Sequence, residues 1–319
     1  MNYRKLGKTR LEISEIGLGC WQLGGKFLVN GMPITIGSVN EKTSEDILTS
    51  TLEYGINFFD TADVYSLGKS EEILGNVLKK YRNEIKIATK AGSVLSKSNK
   101  KPFQVDLSKD HLISSLNKSL NRLKTDYVDI FLTHFIPYSD TEFESIEKAF
   151  SKIKSEGKAI ACGVSISEEY EKALELLEKD IVDCIEITYS MLNYEPENEI
   201  FQLAKKKNVG IITSKTLSQG FLIKKNLNFG LEDVRSTYNK KKIELLVKRR
   251  EKFFEKFKLE ELKSLAIPYV VSNKDITSCL IGVTNTVQLE QNMKYYNNLL
   301  KTKDRTNIKY VQSRFHTIE

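Results

Sequence analysis

Four ionisable side chains in this sequence are of types that together can move a proton. They are Asp60 and Tyr65 in FFDTADVY, Lys90 in IKIATKAG, and His134 in YVDIFLTHF. A tyrosine is normally too weak an acid to act near neutral pH, its reference pKa being about 10. A nearby ammonium favours the phenolate, so Lys90 is expected to make Tyr65 more acidic. Lys90 would lose its own charge if buried alone, and a paired Asp60 keeps it cationic. His134 can hydrogen-bond a substrate oxygen and orient it toward Tyr65. The set offers neither a nucleophile nor a metal cluster. It suits protonation of an alkoxide as hydride arrives at carbon, which requires an external hydride donor. Taken singly, Asp60 reads first as a helix cap, Lys90 as a surface cation and His134 as a satisfied core histidine; their shared placement is what argues for chemistry.

That placement follows from the elements around them. Strand-like apolar runs occur at 16–21, 57–60, 85–90, 128–134, 159–165, 184–189, 209–214 and 278–283. Amphipathic patterns lie between them, among them SEDILTSTLEYG, SEEILGNVLKKY and SEEYEKALELLEK. In DHLISSLNKSLNRL, Ile113, Leu116, Leu120 and Leu123 recur at three- and four-residue steps and line up one buried face. Capping signals predict helices from Ser44 to Gly55 and from Thr141 to Gly157. Strands buried on both faces and separated by helices pair in parallel through right-handed crossovers, and eight such units close a (β/α)₈ TIM barrel. A doubly wound sheet would need a helix directly after its glycine-rich turn, and none is predicted after GLGCWQLGG. In a barrel the carboxyl ends of the strands carry the active site. Asp60, Lys90, His134 and Ser165 fall there, on strands two through five.

Two stretches stand outside the repeat. Residues 3–13 read as a hairpin covering one barrel end, and residues 231–257 as a charged amphipathic helix whose Ile243, Leu246, Phe253 and Phe257 face the barrel. No low-complexity linker interrupts the chain, so residues 1–319 are expected to form a single domain. Of its residues 40% are hydrophobic and 29% charged, as in globular proteins with a substantial core. The net charge of +7 is carried by dispersed lysines, without the clustered stripe that nucleic acid requires, so no nucleic-acid partner is expected. Cys20, Cys162, Cys184 and Cys279 show no paired spacing and read as reduced core thiols. No apolar run is long enough to span a bilayer and the amino terminus has no signal core, so a cytoplasmic protein without membrane contact is expected.

The chain resembles the aldo-keto reductase superfamily over nearly its whole length, through YRKLGKTRLEISEIGLGCWQLGG, GINFFDTADVYSLGKSEEILG, KIATKAG, LNRLKTDYVDIFLTHF, GKAIACGVSIS, VGIITSKTLSQGFL and LIGVTNTVQLEQN. The resemblance implies Tyr65 as general acid/base, Lys90 and Asp60 tuning it, His134 orienting the carbonyl, and a nicotinamide cofactor extended across the barrel mouth. Trp21 matches a position near cofactor and substrate. Several cofactor positions depart from the family pattern. Ser165 is followed by Ile166 rather than asparagine, so it must hold the carboxamide alone or with Glu186, which stands where glutamine is usual. A carboxylate can accept from the carboxamide NH₂ but cannot donate to its carbonyl. Ser214 replaces the stacking residue after strand seven and is followed by Lys215, Thr216 and Leu217. Lys225 matches a pyrophosphate lysine. Gly282, Thr284, Gln288 and Asn292 form the adenosine motif, with no cation to grip a 2′-phosphate, while the helix starting near Thr286 offers free amide donors. NADP(H) is the family default, and NAD(H) is an open alternative. The implied substrate is a small carbonyl compound or sugar, selected by the barrel loops and the tail from Lys301. A nucleotide-binding regulatory protein of the same fold is the competing function, and the oligomeric state is not legible.

Overall fold

The computed structural model describes residues 1–37, 39–96 and 101–317. Eight strands, β1 (Ile16–Gly19), β2 (Phe58–Asp60), β3 (Lys86–Ala91), β4 (Val128–Thr133), β5 (Ala159–Ile166), β6 (Cys184–Thr188), β7 (Gly210–Ser214) and β8 (Ser278–Ile281), pair in parallel in chain order, and β8 closes on β1. The eight predicted runs are these eight strands, with ends that differ by a few residues. Each is apolar on both faces because one face packs into the barrel and the other under helices.

The helices are α1 (Glu41–Glu53), α2 (Lys69–Leu78), α3 (Lys109–Leu123), α4 (Asp140–Ser155), α5 (Tyr170–Glu178), α6 (Ile200–Lys206), α7 (Lys240–Phe254), α8 (Leu259–Val271), α9 (Thr286–Tyr296) and α10 (Thr302–Ser313). Two of them start earlier than their serine and threonine signals suggested. Asn40 caps α1 by accepting from the Thr43 amide at 2.8 Å, while the predicted start, Ser44, is buried and donates to the Leu23 carbonyl. Ser139 caps α4 in a reciprocal box with Glu142.

Inside the barrel, every second residue of the strands forms one apolar plug: Phe58, Ala88, Ile130, Leu132, Ala161, Cys184, Ile212 and Leu280. Gly17 contributes space to it, since a Cβ there would lie 2.6 Å from the Phe58 ring. The amino-terminal hairpin, Tyr3–Lys5 paired with Glu12–Ser14, sends Leu6, Leu11 and Ile13 into the same cluster and stoppers the barrel floor, as expected. Its turn residue Gly7 has φ +49° and sits 2.6 Å, measured from an ideal Cβ, from the Asn208 carbonyl, where no side chain fits.

The segment 231–257 is not one helix. Residues Val234–Thr237 form a short 3₁₀ turn, and only α7 is helical, with Leu246, Phe253 and the following Phe257 buried and Ile243 half-buried against the barrel. The turn instead crosses the barrel mouth. The Val234 amide donates to the Thr35 carbonyl at 2.9 Å, and the Asp233 carboxylate accepts from the Gly37 amide at 3.2 Å. Beyond α9, the carboxyl-terminal tail packs Ile308, Val311 and Phe315 into the core, and none of its described residues lines the mouth; its last two residues lie outside the described ones. Among the described residues no helix is long and apolar enough to cross a membrane.

Candidate active site

One further step along the inward row turns the apolar plug polar on five strands and ends it in glycine on a sixth. Phe58 leads to Asp60, Ala88 to Lys90, Leu132 to His134, Cys184 to Glu186, Ile212 to Ser214 and Leu280 to Gly282. Alternation of period two therefore aims all of these at one place, the carboxyl end of the barrel.

Lys90 is the centre of that layer and is 0% exposed, with Asp60 at 3% and Glu186 at 4%. Its Nζ donates to Asp60 Oδ1 at 2.6 Å and Oδ2 at 2.5 Å, to the Thr61 carbonyl at 3.2 Å and to the Tyr65 hydroxyl at 3.5 Å. Glu186 Oε2 lies 3.2 Å from the same nitrogen. Burial alone would strip the proton from Lys90, but Asp60, Glu186 and Tyr65 outweigh it and hold the ammonium well above its ordinary range. The Asp60 carboxyl is pushed up, first by burial and then by Glu186, while Lys90 pulls the other way. One cation shared by two buried carboxylates cannot fully satisfy both.

Tyr65 is half-buried in the cavity wall, edge-on to His134 with ring centroids 5.7 Å apart. The expectation that Lys90 makes its phenol acidic is not met here. Lys90 does pull the phenol down, but burial around the hydroxyl, reinforced by Asp60 and Glu186, raises it well above the usual tyrosine range. His134 is moved to about 3 by burial and by the Lys90 and Lys215 charges, so its imidazole is neutral at physiological pH. Its Nδ1 is enclosed with no hydrogen-bond partner. Trp21 stacks on Tyr65, with ring centroids 5.8 Å apart and planes at 19°, and its indole N–H donates to the Ile34 carbonyl at 2.8 Å.

A cavity of about 1460 Å³ opens above these residues. Its wall runs past Trp21, Asp60, Tyr65, His134, Ser165, Glu186, Ser214, Leu217, Gly282, Thr284, Gln288 and Asn292, so the structure brings these sequence candidates to one surface, with Lys90 fully enclosed beneath it and Lys225 apart from it. Lys225 is exposed and off the cavity. The Lys224 amide bonds to the Gly220 carbonyl at 2.9 Å, and this turn brings Lys224 round to the wall instead. Ser165 pairs in register with Glu186 and its hydroxyl donates to Glu186 Oε1 at 3.4 Å; Ile166 is buried among apolar neighbours. The expected free amides of α9 are partly taken. Asn285 caps the Gln288 amide at 2.9 Å, and Gln288 Oε1 accepts from the Thr284 amide at 2.9 Å.

Sequence reasoning missed Arg235, a buried cation on the cavity wall. It donates to both oxygens of Asp233 at 2.8 and 2.6 Å and to the Gln219 carbonyl at 2.7 Å. The two-residue spacing of Asp233 and Arg235 in a charged run was the available signal.

The volume exceeds that of a small-molecule pocket and leaves room for a dinucleotide with a small co-substrate. Buried Gln22 Oε1 and Thr216 Oγ1 have no hydrogen-bond partner, and Gln22 and Thr216 both line this wall. Such atoms fit a polar ligand that is itself rich in donors.

A closed parallel barrel with its ionisable side chains gathered at the carboxyl strand ends is the architecture of the TIM-barrel enzymes. Within that class, the chain belongs to the Aldo/keto reductase family, whose sequence profile matches residues 15–312. It is 30% identical to an uncharacterized oxidoreductase of Bacillus subtilis, covering 98% of this chain and 96% of that one. It is 27% identical to the NADH-specific methylglyoxal reductase of Escherichia coli, covering 94% and 95%. The holo form of an aldo-keto reductase from Bacillus halodurans superposes with a TM-score of 0.79 at 27% identity, covering 98% and 96%.

Proposed function

We propose that the protein is an NAD(P)(H)-dependent oxidoreductase that interconverts a small carbonyl compound and its alcohol. The observation that carries this reading is the Lys90 ammonium held between Asp60 and the Tyr65 hydroxyl on the cavity wall, with neutral His134 alongside. A bound nicotinamide supplies hydride. In reduction Tyr65 donates its proton to the carbonyl oxygen, and the adjacent ammonium stabilises the phenolate that remains. Neutral His134 hydrogen-bonds the same oxygen and orients it toward Tyr65, while Trp21 forms an apolar wall that excludes water.

Ser165 and Glu186 would hold the carboxamide, and Ser214 and Leu217 would flank the ring and ribose. Lys224 would meet charge along the phosphates, and Gly282, Thr284, Gln288 and Asn292 would line the adenosine. The preferred cofactor is NAD(H). Thr284 and Gln288 satisfy each other, Lys263 on the same wall is paired with Glu260 at 2.6 Å, and Arg235 is committed to Asp233. A 2′-phosphate would find hydroxyls and amides but no unpaired cation in the motif, whereas a ribose hydroxyl is well served.

The test is fluorescence titration with NADH and NADPH, followed by turnover on methylglyoxal and a panel of aldehydes, ketones and sugars. The reading requires binding, with NADH the tighter, and oxidation of the cofactor by at least one carbonyl. Tight binding with no turnover across the panel would favour the regulatory alternative.

A further inference from the structure

The strand-six carboxylate touches something besides its neighbour Ser165. Glu186 projects from β6 into the layer occupied by Lys90 on β3, and Glu186 Oε2 comes within 3.2 Å of Nζ. That nitrogen already holds Asp60 at 2.6 and 2.5 Å and reaches Tyr65 at 3.5 Å. The buried assembly thus contains two carboxylates, one ammonium and one phenol, and a cation divided between two carboxylates has less to offer a phenolate. An amide of the same shape at this position would keep an acceptor but remove the second negative charge that competes for Lys90.

Building on the oxidoreductase reading, we propose that Glu186 is a positioning residue of the proton-transfer set: as the second carboxylate on Lys90 it holds Tyr65 in the phenol form and moves to higher pH the range in which the phenolate needed for alcohol oxidation appears. A phenol is the form needed to donate a proton, and a phenolate is the form needed to remove one from an alcohol. The electrostatics around the hydroxyl agree, since Asp60 and Glu186 both oppose its ionisation and only Lys90 favours it. The remaining groups at hand do not reverse this. His134 beyond β4 is neutral. Cys20 after β1 is a buried thiol held in its protonated form. Lys215 after β7 has its own ammonium disfavoured by burial and by Lys242, against Glu168, Glu186 and Glu169. Asp63, on Tyr65's own segment, faces Glu71, Arg122 and Lys118 behind the site.

The experiment follows the Tyr65 ring in cofactor-free protein labelled with [¹³C]tyrosine, its resonance assigned by loss in Tyr65→Phe. The phenol of the parent should persist to the highest pH at which the fold survives. Glu186→Gln should ionise at a pH at least one unit lower, roughly tenfold in the equilibrium, and Glu186→Asp, which keeps the charge, should move back toward the parent. Glu186→Ala supplies the same reading should the glutamine variant fold poorly. Charge-deleting variants whose Tyr65 stays phenolic as far as the parent's would overturn the proposal. Because no substrate or cofactor is present, the shift can be seen in a protein that turns nothing over, so this failure and that of the oxidoreductase reading are separable.

Discussion

Lys90 Nζ stands 3.5 Å from the Tyr65 hydroxyl, while both Asp60 oxygens lie closer, at 2.6 and 2.5 Å. The ammonium is therefore primarily the partner of a carboxylate and only secondarily that of the phenol. Removing one member of a buried ion pair usually costs about 3–5 kcal/mol, because the survivor is left uncompensated. Here Glu186 remains at 3.2 Å when Asp60 is neutralised. Asp60→Asn should therefore destabilise by less, about 1–2 kcal/mol, and the Asp60→Asn/Glu186→Gln double variant by more than the sum of the singles. Urea unfolding of the four proteins measures the coupling. Strict additivity would show that Glu186 does not support Lys90.

The neutrality of His134 has a kinetic signature. With its pKa moved to about 3 by burial and by Lys90 and Lys215, the imidazole does not titrate near pH 6.5. The pH profile of carbonyl reduction between about pH 5 and 8 should lack a histidine limb. Measuring kcat/KM across that range checks this, and a limb near 6.5 that disappears in His134→Gln would contradict it.

The proposed preference for NAD(H) rests on a closed turn. Gln288 Oε1 accepts from the Thr284 amide at 2.9 Å and its hydroxyl at 3.3 Å. Thr284→Lys places a cation beside the proposed 2′-position and should tighten NADPH binding roughly tenfold or more while leaving NADH nearly unchanged. Paired fluorescence titrations give the ratio directly.

Asp63 offers a test of stability against pH. Burial first, and then Glu71, push its carboxyl up to about 7, against Arg122, and its Oδ1 is enclosed without a partner. A carboxyl whose folded pKa exceeds its unfolded value binds its proton more tightly when folded. Its contribution is therefore fully present below about pH 4 and declines as pH rises toward 7. Asp63→Asn, neutral at every pH, should raise Tm relative to the parent at pH 8 and have a smaller effect at pH 4.5. Thermal unfolding at the two pH values decides it.

The barrel and most of the site were legible because the same alternation encodes both. Strands packed on two faces read as continuous apolar runs, and Asp60, Lys90 and His134 are each the next inward step after Phe58, Ala88 and Leu132. What escaped depends on closure in three dimensions. The Lys90–Glu186 contact joins β3 to β6 across the barrel interior, and no local pattern announces it. The direction of the Tyr65 shift is a balance between burial and three charges, whereas the sequence names the charges without their depth. Arg235 and Asp233 lay in a run of charges that reads as a solvated helix face, yet the chain there turns across the mouth. A turn hydrogen bond from the Lys224 amide to Gly220 accompanies the placing of Lys224 rather than Lys225 on the cavity wall, which residue order alone does not show.

The central claim is that the Tyr65 hydroxyl carries the proton. Tyr65→Phe removes that one atom and leaves the ring, its stack on Trp21 and the cavity wall in place. Single-turnover measurement with saturating reduced cofactor and a carbonyl turned over by the parent tests it most directly. The account predicts cofactor affinity within about twofold of the parent and a loss of hydride transfer of at least roughly 10²-fold. Hydride transfer at the parental rate in that variant would contradict it.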